Sequence, residues 1–156
     1  MGDCVGVGAQ VQCKPDCENY CPHIVDTYNA PYNLDEGHSN KPMRDKNGKQ
    51  IFSQGGFSSH SRAHERFVFP IPENILSNEA GPMMCVGLTT YSPLVRADTG
   101  PGKKVAILGI GGLGHFGIMW AKALGAKVWA LSHTLGKKAE ALKLGADHLV
   151  STGEKD

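Results

Sequence analysis

The feature that most constrains the fold of this chain is a glycine-rich turn between two apolar runs. Residues 104–110 (KVAILGI) are aliphatic and β-branched, which is typical of a short strand buried on both faces. Gly109, Gly111 and Gly114 follow with the spacing G-x-G-x-x-G, and residues 127–131 (KVWAL) predict a second, parallel strand. This order of strand, glycine turn, helix and strand predicts a βαβ unit that binds a dinucleotide.

The glycines of this turn have different physical roles. Gly109 permits the tight turn, Gly111 lets backbone N–H groups approach a pyrophosphate, and Gly114 lets the helix pack close to the strand. Gly112 and Leu113 lie in the same turn. We therefore predict that these five residues bind the cofactor.

The predicted helix after the turn carries an apolar stripe with helical spacing. Its members are Leu113, Phe116, Trp120 and Leu124. Gly125 is placed to end the helix, because glycine readily adopts the left-handed conformation that follows a last helical turn. Residues 137–144 predict a second helix, stopped by Gly145, and residues 148–152 predict a third strand.

The segment after the second strand indicates which cofactor the turn would bind. NAD enzymes usually place Asp or Glu here to bind the ribose 2′-hydroxyl, and this chain has neither. Ser132, His133 and Lys137 stand there instead, with a second lysine at position 138. A small hydroxyl and positive charge suit a 2′-phosphate, so NADP(H) is predicted. The alternative is a solvated, basic helix start.

Composition and charge exclude several classes of partner. The formal net charge of +1 offers no basic field for nucleic acid. The opening residues 1–4 (MGDC) lack the apolar segment of a secretory signal. Residues 105–121 are apolar apart from His115, but they are shorter than the roughly 20 residues of a membrane span and contain five glycines. We expect a cytoplasmic protein without a membrane or nucleic-acid partner.

Three of the five cysteines form a compact array in a polar stretch. Cys13, Cys17 and Cys21 have the spacing C-x3-C-x3-C. Thiolates this dense are plausible ligands of a tetrahedral zinc, but a structural zinc requires four ligands. His23 is a candidate for the fourth, and an array of unligated loop thiols is the alternative.

The first half of the chain predicts short strands and long loops. Strands are predicted over residues 4–11, 51–57 and 66–71, with a solvated polar loop over 35–50. His38 lies in that loop. His64 and Glu65 are neighbours in an extended segment, where their side chains would point to opposite faces, so a structural role is favoured over metal binding.

A helix is predicted to begin at Ser77, with Ser77 as its cap and acidic Glu79 in its first turn. Cys85 follows in this helix. Judged from the sequence pattern alone, a single cysteine here is more often a buried apolar thiol than a ligand.

These residues together resemble the zinc-dependent medium-chain alcohol dehydrogenases, and within them the NADP-dependent cinnamyl-alcohol-dehydrogenase branch of fungal type. The stretches that carry the resemblance run almost end to end. They are residues 5–10 (VGVGAQ), 54–57 (QGGF), 67–72 (FVFPIP), 85–94 (CVGLTTYSPL), 100–104 (GPGKK), 109–117 (GIGGLGHFG) and 144–147 (LGAD).

The resemblance implies an α/β protein with two parts. Residues 1–76 would be part of a GroES-like catalytic domain, and residues 77–156 the first part of an NADP-binding Rossmann domain with a doubly wound parallel sheet. It further implies hydride transfer between the nicotinamide and an alcohol or aldehyde, with zinc as a Lewis acid. The full-length family also implies a homodimer.

The resemblance also assigns roles to particular residues. Cys85 would be a ligand of the catalytic zinc, which reverses the interpretation of a buried thiol. Thr89 would lie beside the nicotinamide, and Ser132 and Lys137 would hold the 2′-phosphate. The cysteine array matches the structural-zinc lobe.

The chain departs from the family pattern in two places. The family lobe is C-x2-C-x2-C-x7-C, so the array at residues 13–21 is shorter and lacks one thiolate. The family's first catalytic cysteine and its Gly-His-Glu motif have no counterpart here, so no catalytic residue is assigned. We expect the middle portion of such an enzyme, without turnover as the chain stands. The alternatives are a zinc-free quinone or enoyl reductase of the same superfamily, and a non-catalytic truncated product.

Overall fold

A computed structural model describes residues 3–8, 10–12, 24–32 and 42–153. The chain divides into two compact units, Met1–Met84 and Cys85–Asp156. The sequence-based boundary between residues 76 and 77 stays a prediction. In the described part, no helix is long and apolar enough to cross a membrane.

The first unit contains short antiparallel strands. Its strands are β1 (Val5–Val7), β2 (Gln10–Gln12), β3 (Val25–Asp26), β4 (Tyr28–Pro31), β5 (Phe52–Gln54) and β6 (Val68–Pro70). Strand β1 pairs with β6, β2 with β3, and β4 with β5. The predicted strand over residues 4–11 is thus two strands, and the irregular, β-rich character of this half is confirmed.

Local packing explains two small residues of this unit. Gly6 is buried in β1, where an added Cβ would collide with the side chains of Met84 and Ile71. Ser53 is the buried polar residue of β5, and its Oγ accepts a hydrogen bond from the Ala30 amide at 3.0 Å. The buried hydroxyl is therefore satisfied, as a buried polar group requires.

A helical run begins at Ser77 and changes its winding twice. Helix α1 (Ser77–Pro82) is followed by a π-helical turn (Met83–Gly87) and then by α2 (Leu88–Arg96). The prediction that Ser77 caps this run is wrong. Leu76 occupies the cap position without a side-chain hydrogen bond, because Ser77 already lies inside the first turn. The Ser77 hydroxyl instead lies 3.6 Å from Sγ of Cys4.

The second unit is a three-stranded parallel sheet with helical crossovers. Its elements are β7 (Lys104–Leu108), α3 (Gly112–Ala123), β8 (Lys127–Ser132), a 3₁₀ turn (Leu135–Lys137), α4 (Lys138–Lys143) and β9 (His148–Ser151). The strand order is β7-β8-β9, with all pairs parallel. This arrangement confirms the predicted α/β class and the parallel half-sheet.

Helix α3 contacts the sheet through small residues. Its buried positions are Gly114, Gly117, Ile118 and Ala121. A Cβ at Gly117 would lie 3.3 Å from Cδ1 of Ile107, and one at Gly114 would overlap the carbonyl oxygen of Gly109. The predicted stripe is only partly right, since Leu113 is 53% exposed while Trp120 and Leu124 pack against the core. Close approach of helix and strand selects glycine and alanine for the buried face.

The composition of β7 predicted burial on both faces, and this prediction is wrong. Val105 and Ile107 pack against the core, but Ala106 is exposed and Leu108 is 80% exposed. The reason is topological. Helix α3 covers one face of β7, and β7 is the outer strand of the sheet in the part of the chain that the structure describes.

Both crossover helices of this unit end in the predicted way. Gly125 and Gly145 have φ of +90° and +111°, respectively. The amides of residues 125 and 126 donate to the carbonyls of residues 122 and 121, and residues 145 and 146 repeat this pattern with residues 142 and 141. These pairs of hydrogen bonds are Schellman motifs, which require the left-handed conformation that glycine adopts most easily.

Candidate functional site

The glycine turn lies where β7 ends and α3 begins. Gly109 has φ +85°, and its amide donates to the carbonyl of Leu131 at 2.9 Å, which ties the turn to β8. Gly111 is the N-cap of α3 and has no side chain with which to cap it. The first turn of α3 contains no acidic residue. The first amides of the helix are therefore available to an anion, and the helix dipole favours one there.

The space around each glycine shows what its missing side chain permits. Added Cβ atoms at Gly109, Gly111 and Gly112 would meet nothing within 4 Å, whereas Gly114 has no room for one. The first three glycines thus leave the turn open, and Gly114 serves packing. Leu113 is largely exposed beside them. An open turn at a helix N-terminus fits the pyrophosphate of a dinucleotide.

Two basic side chains bind consecutive carbonyls of the turn. Nζ of Lys137 donates to the carbonyl oxygen of Ile110 at 2.7 Å. Nδ1 of His115 lies 2.6 Å from the carbonyl oxygen of Gly111, and its Nε2 lies 3.0 Å from Oε1 of Glu140. Lys137 and Glu140 stand 27 and 25 residues, respectively, from their partners in the chain, so only the folded crossover brings them to the turn.

The surroundings of His115 raise its pKa. The hydrogen bond to Glu140 is the main cause, and the bond to the Gly111 carbonyl is the next. Partial burial and the charge of Lys137 oppose the increase. The same hydrogen bond lowers the pKa of Glu140. The ring and the carboxylate therefore favour the ionised form of each other.

The residues predicted to contact the ribose lie next to this turn. Strands β7 and β8 pair in parallel as far as Leu108 and Leu131, so Ser132 ends β8 beside the glycine turn. The carbonyl of Ser132 accepts the Thr152 amide at 2.8 Å, and His133 follows it, exposed. The predicted positions thus gather at the carboxyl ends of two parallel strands, where this fold binds its ligands.

The remaining predicted site residues lie on the helical run. Cys85 is exposed in the π-helical turn, so the interpretation of a buried thiol is wrong and the group is accessible to a ligand. Thr89 is exposed in α2. Nε1 of Trp120 donates to the carbonyl of Gly87 at 3.1 Å, and its ring meets Tyr91 edge-on at 5.6 Å. The hydrogen bond from Trp120 anchors this segment to α3, and the Gly87 carbonyl also accepts the Thr90 hydroxyl at 3.1 Å.

The described residues do not assemble a zinc site. Among them, no group of three or more His, Cys, Asp and Glu side chains is arranged to hold a metal ion. The predicted zinc ligands of the array (Cys13, Cys17, Cys21 and His23) and the loop histidine His38 lie outside the described residues. Nδ1 of His64 accepts a hydrogen bond from the Arg66 amide at 3.2 Å and caps a 3₁₀ turn over Glu65–Phe67, so Glu65 lies in that turn and not in the predicted extended segment.

Sequence reasoning missed the partners of His115. Its only signal was that His115 is the one polar residue in the apolar stretch 105–121. In the sequence, Glu140 looks like any acidic residue on a solvated helix. Its contact with His115 depends on how α3 and α4 are placed, which no local sequence pattern specifies.

Comparison with known proteins gives consistent likenesses. Residues 112–156 match the family described as "Zinc-binding dehydrogenase". The chain is 46% identical over 161 residues to the NADP-dependent alcohol dehydrogenase 6 of Saccharomyces cerevisiae, covering 99% of this chain and 41% of that protein.

Two solved structures have the same fold. A cinnamyl alcohol dehydrogenase of Sorghum bicolor has a TM-score of 0.78 at 36% identity, covering 96% of this chain and 41% of its own. A CAD from Helicobacter pylori, solved with NADP(H), has a TM-score of 0.77 at 33% identity with the same coverage. The chain thus spans about two fifths of the length of the relatives that it matches.

Proposed function

We propose that this chain, which carries a zinc-binding dehydrogenase segment and whose relatives are NADP-dependent alcohol dehydrogenases, binds NADP(H) for an oxidoreductase of alcohols or aldehydes. The observation that carries the proposal is the open glycine turn at the start of α3, beside a strand end without a carboxylate. This combination favours a dinucleotide with a 2′-phosphate.

The glycine turn would bind the pyrophosphate through backbone amides. Gly109 and Gly111 have no side chains, and the space that their Cβ atoms would occupy is open to a ligand. The dipole of α3 favours an anion at its N-terminus. Gly112, Leu113 and Gly114 form the first turn of the helix, whose amides lack intrahelical partners.

The 2′-phosphate would lie between the end of β8 and the following turn. Ser132 offers a hydroxyl, and Lys137 offers an ammonium group with three donors, one of which binds the Ile110 carbonyl. The other donors remain for a phosphate. His133 completes this predicted set as an exposed neighbour.

When bound, the nicotinamide would supply or accept the hydride. The chain's own contribution is to bind and orient the cofactor, with Thr89 beside the nicotinamide and Cys85 as an accessible thiol on the same helical run. The described residues do not assemble a zinc site. By resemblance, the full-length enzyme would act on alcohols or aldehydes with zinc, as a cytoplasmic homodimer.

The test is nucleotide binding by the purified chain. Titration calorimetry should show NADPH binding more tightly than NADH by about tenfold to a hundredfold, the value of one charge-assisted contact. Equal affinities would contradict the cofactor preference. No binding of either nucleotide would contradict the proposal as a whole and favour the alternative of a non-catalytic product.

A further inference from the structure

Two basic side chains bind backbone carbonyls of the glycine turn. Lys137 binds the carbonyl of Ile110, and His115 binds the next carbonyl, that of Gly111. The Gly111 carbonyl also accepts the backbone amide of His115 at 2.9 Å, so the amide and the ring of one residue both bind it. Glu140 continues the chain of contacts from the His115 ring to α4.

The geometry favours the doubly protonated form of His115. A carbonyl oxygen and a carboxylate are both acceptors, so each ring nitrogen must carry a hydrogen to bind its partner. Only the imidazolium form satisfies both contacts. When the ring loses one proton, it can bind the Gly111 carbonyl or the Glu140 carboxylate, but not both.

Binding the carbonyls also orients the amides of the turn. In a trans peptide, the C=O bond and the following N–H bond point in opposite directions within one plane. Holding the Ile110 carbonyl therefore fixes the amide of Gly111, and holding the Gly111 carbonyl fixes the amide of Gly112. Both amides point away from the cations, and they belong to the turn that would bind the pyrophosphate.

We propose that His115 and Glu140 are a positioning pair for the glycine turn, so that nucleotide binding weakens when the His115 ring loses its second proton. Neither residue needs to touch the nucleotide. The protonated ring holds the Gly111 carbonyl, and Glu140 anchors the ring to α4. The inference rests on the proposed nucleotide-binding function.

The charged groups near the ring, among the described residues, lie on the turn before α4 and on α4 itself. Glu140 and Lys137 act on the ring electrostatically. The ring and Glu140 also line a surface groove with Lys143, Met119 and Leu144. On the other side of α3, the contact with α2 runs through the rings of Tyr91 and Trp120, which carry no charge. Because Glu140 dominates, the doubly protonated form persists to a higher pH than in an ordinary histidine.

The first measurement needs no ligand. The ring of His115 and the carbonyl carbon of Gly111 are followed by NMR from pH 5 to pH 9, and both resonances should titrate with one midpoint. Glu140→Gln keeps an acceptor for Nε2 but removes the charge, so the shared midpoint should move to lower pH. A Gly111 carbonyl that does not follow the ring would overturn the proposal.

The second measurement is the affinity of the chain for NAD⁺ and NADP⁺ over the same pH range. NAD⁺ is the informative probe, because the 2′-phosphate of NADP⁺ titrates itself near pH 6. NAD⁺ affinity should fall about three- to tenfold as pH rises through the ring midpoint, the range expected for one net hydrogen bond. In Glu140→Gln, the fall in NAD⁺ affinity should move to the lower pH at which the His115 ring then titrates. A purely structural role would not produce this shift.

Two variants complete the design. His115→Gln should abolish the pH dependence of NAD⁺ affinity, while His148→Gln, which removes an exposed histidine stacked on Trp129, should retain it. Circular dichroism confirms that each variant is folded. An unchanged pH profile in His115→Gln would overturn the proposal. Absence of NAD⁺ and NADP⁺ binding in the unmodified chain would overturn the proposed function, and the NMR titrations would then decide the positioning role by themselves.

Discussion

The ammonium group of Lys122 and the carboxylate of Asp147 lie 2.8 Å apart, from Nζ to Oδ1, and join α3 to the start of β9. The other carboxylate oxygen accepts the Val128 amide at 2.8 Å, and the Asp147 amide donates to the Val128 carbonyl at 2.8 Å. Asp147 therefore binds both backbone polar groups of a buried residue in the central strand. This one residue connects α3, β8 and β9.

This arrangement predicts an acid-sensitive contribution to stability. The hydrogen bond from Lys122 and, next, that from the Val128 amide lower the pKa of Asp147. A lowered folded-state pKa means that the contribution is present above the unfolded-state pKa, near 3.9, and is lost as pH falls through the folded-state pKa. We expect Asp147→Asn to lower Tm at neutral pH and to flatten the fall of Tm below about pH 4.

The measurement is a series of thermal melts by circular dichroism at different pH values. Asp98→Asn is the matched control, since Asp98 faces Lys103 at 3.6 Å with a side chain that is 98% exposed. That variant should behave like the unmodified chain. A melting curve of Asp147→Asn with the same pH dependence as the unmodified chain would show that the carboxylate charge does not contribute.

A second prediction separates packing from ligand access within the glycine turn. Gly114→Ala should destabilise the chain by about 1–3 kcal/mol, as overpacking does, because its Cβ would overlap the Gly109 carbonyl. Gly111→Ala should leave stability nearly unchanged, because it has open space around it and an extended backbone that any residue adopts. Urea denaturation measures both.

Nucleotide affinity provides the second readout of this pair. Gly111→Ala should weaken NADPH binding by about tenfold or more, since the added methyl group lies in the turn that a pyrophosphate would approach. If Gly111→Ala bound NADPH as tightly as the unmodified chain, the pyrophosphate would have to bind elsewhere.

A third prediction concerns the preference for the phosphorylated cofactor. Lys137→Ala should lower NADPH affinity by about tenfold to a hundredfold and NADH affinity much less, because only NADPH offers a phosphate to the ammonium group. Lys138→Ala is the matched control, with the same charge removed one residue away. Calorimetric titrations of the two variants with both nucleotides make the comparison. Equal losses for NADPH and NADH in Lys137→Ala would show that this lysine acts only through the Ile110 carbonyl.

A fourth prediction concerns zinc. The described residues hold no metal cluster, and three thiolates at positions 13, 17 and 21 leave a tetrahedral site incomplete. Chelator-washed protein should therefore contain well under one zinc per chain by elemental analysis. Alkylation of the unwashed protein should modify the exposed Cys85 readily. Stoichiometric zinc that survives the wash and disappears in Cys17→Ser would contradict this prediction.

The local elements of the second unit were predictable because each has a local physical cause. The glycine spacing, the apolar runs and the two helix-ending glycines predicted strand, turn, helix and strand in the order observed. The position of the predicted cofactor residues at strand ends followed from this order, since parallel strands align their carboxyl ends. Thr89, the five residues of the turn and the ribose set remain predictions as ligand contacts.

The errors have a common cause. Ser77 was predicted as a cap from residue type, whereas the helix began one position earlier than that interpretation requires. The apolar composition of β7 indicated burial on both faces, but burial depends on which elements cover the strand. Helix α3 covers one face of β7, and Leu108 lies on the other face, where it is exposed. Cys85 was judged by residue type as well, although the π-helical turn exposes it.

The sequence by itself determined the order of strand, glycine turn, helix and strand in the second unit, because turn chemistry and helix termination act over a few residues. Tertiary structure alone decided what holds that turn in place. The contacts of Lys137 with Ile110 and of His115 with Glu140 span 27 and 25 residues. They depend on how the crossover returns α4 to α3, and that path follows from packing small residues of α3 against the sheet, which no local pattern specifies.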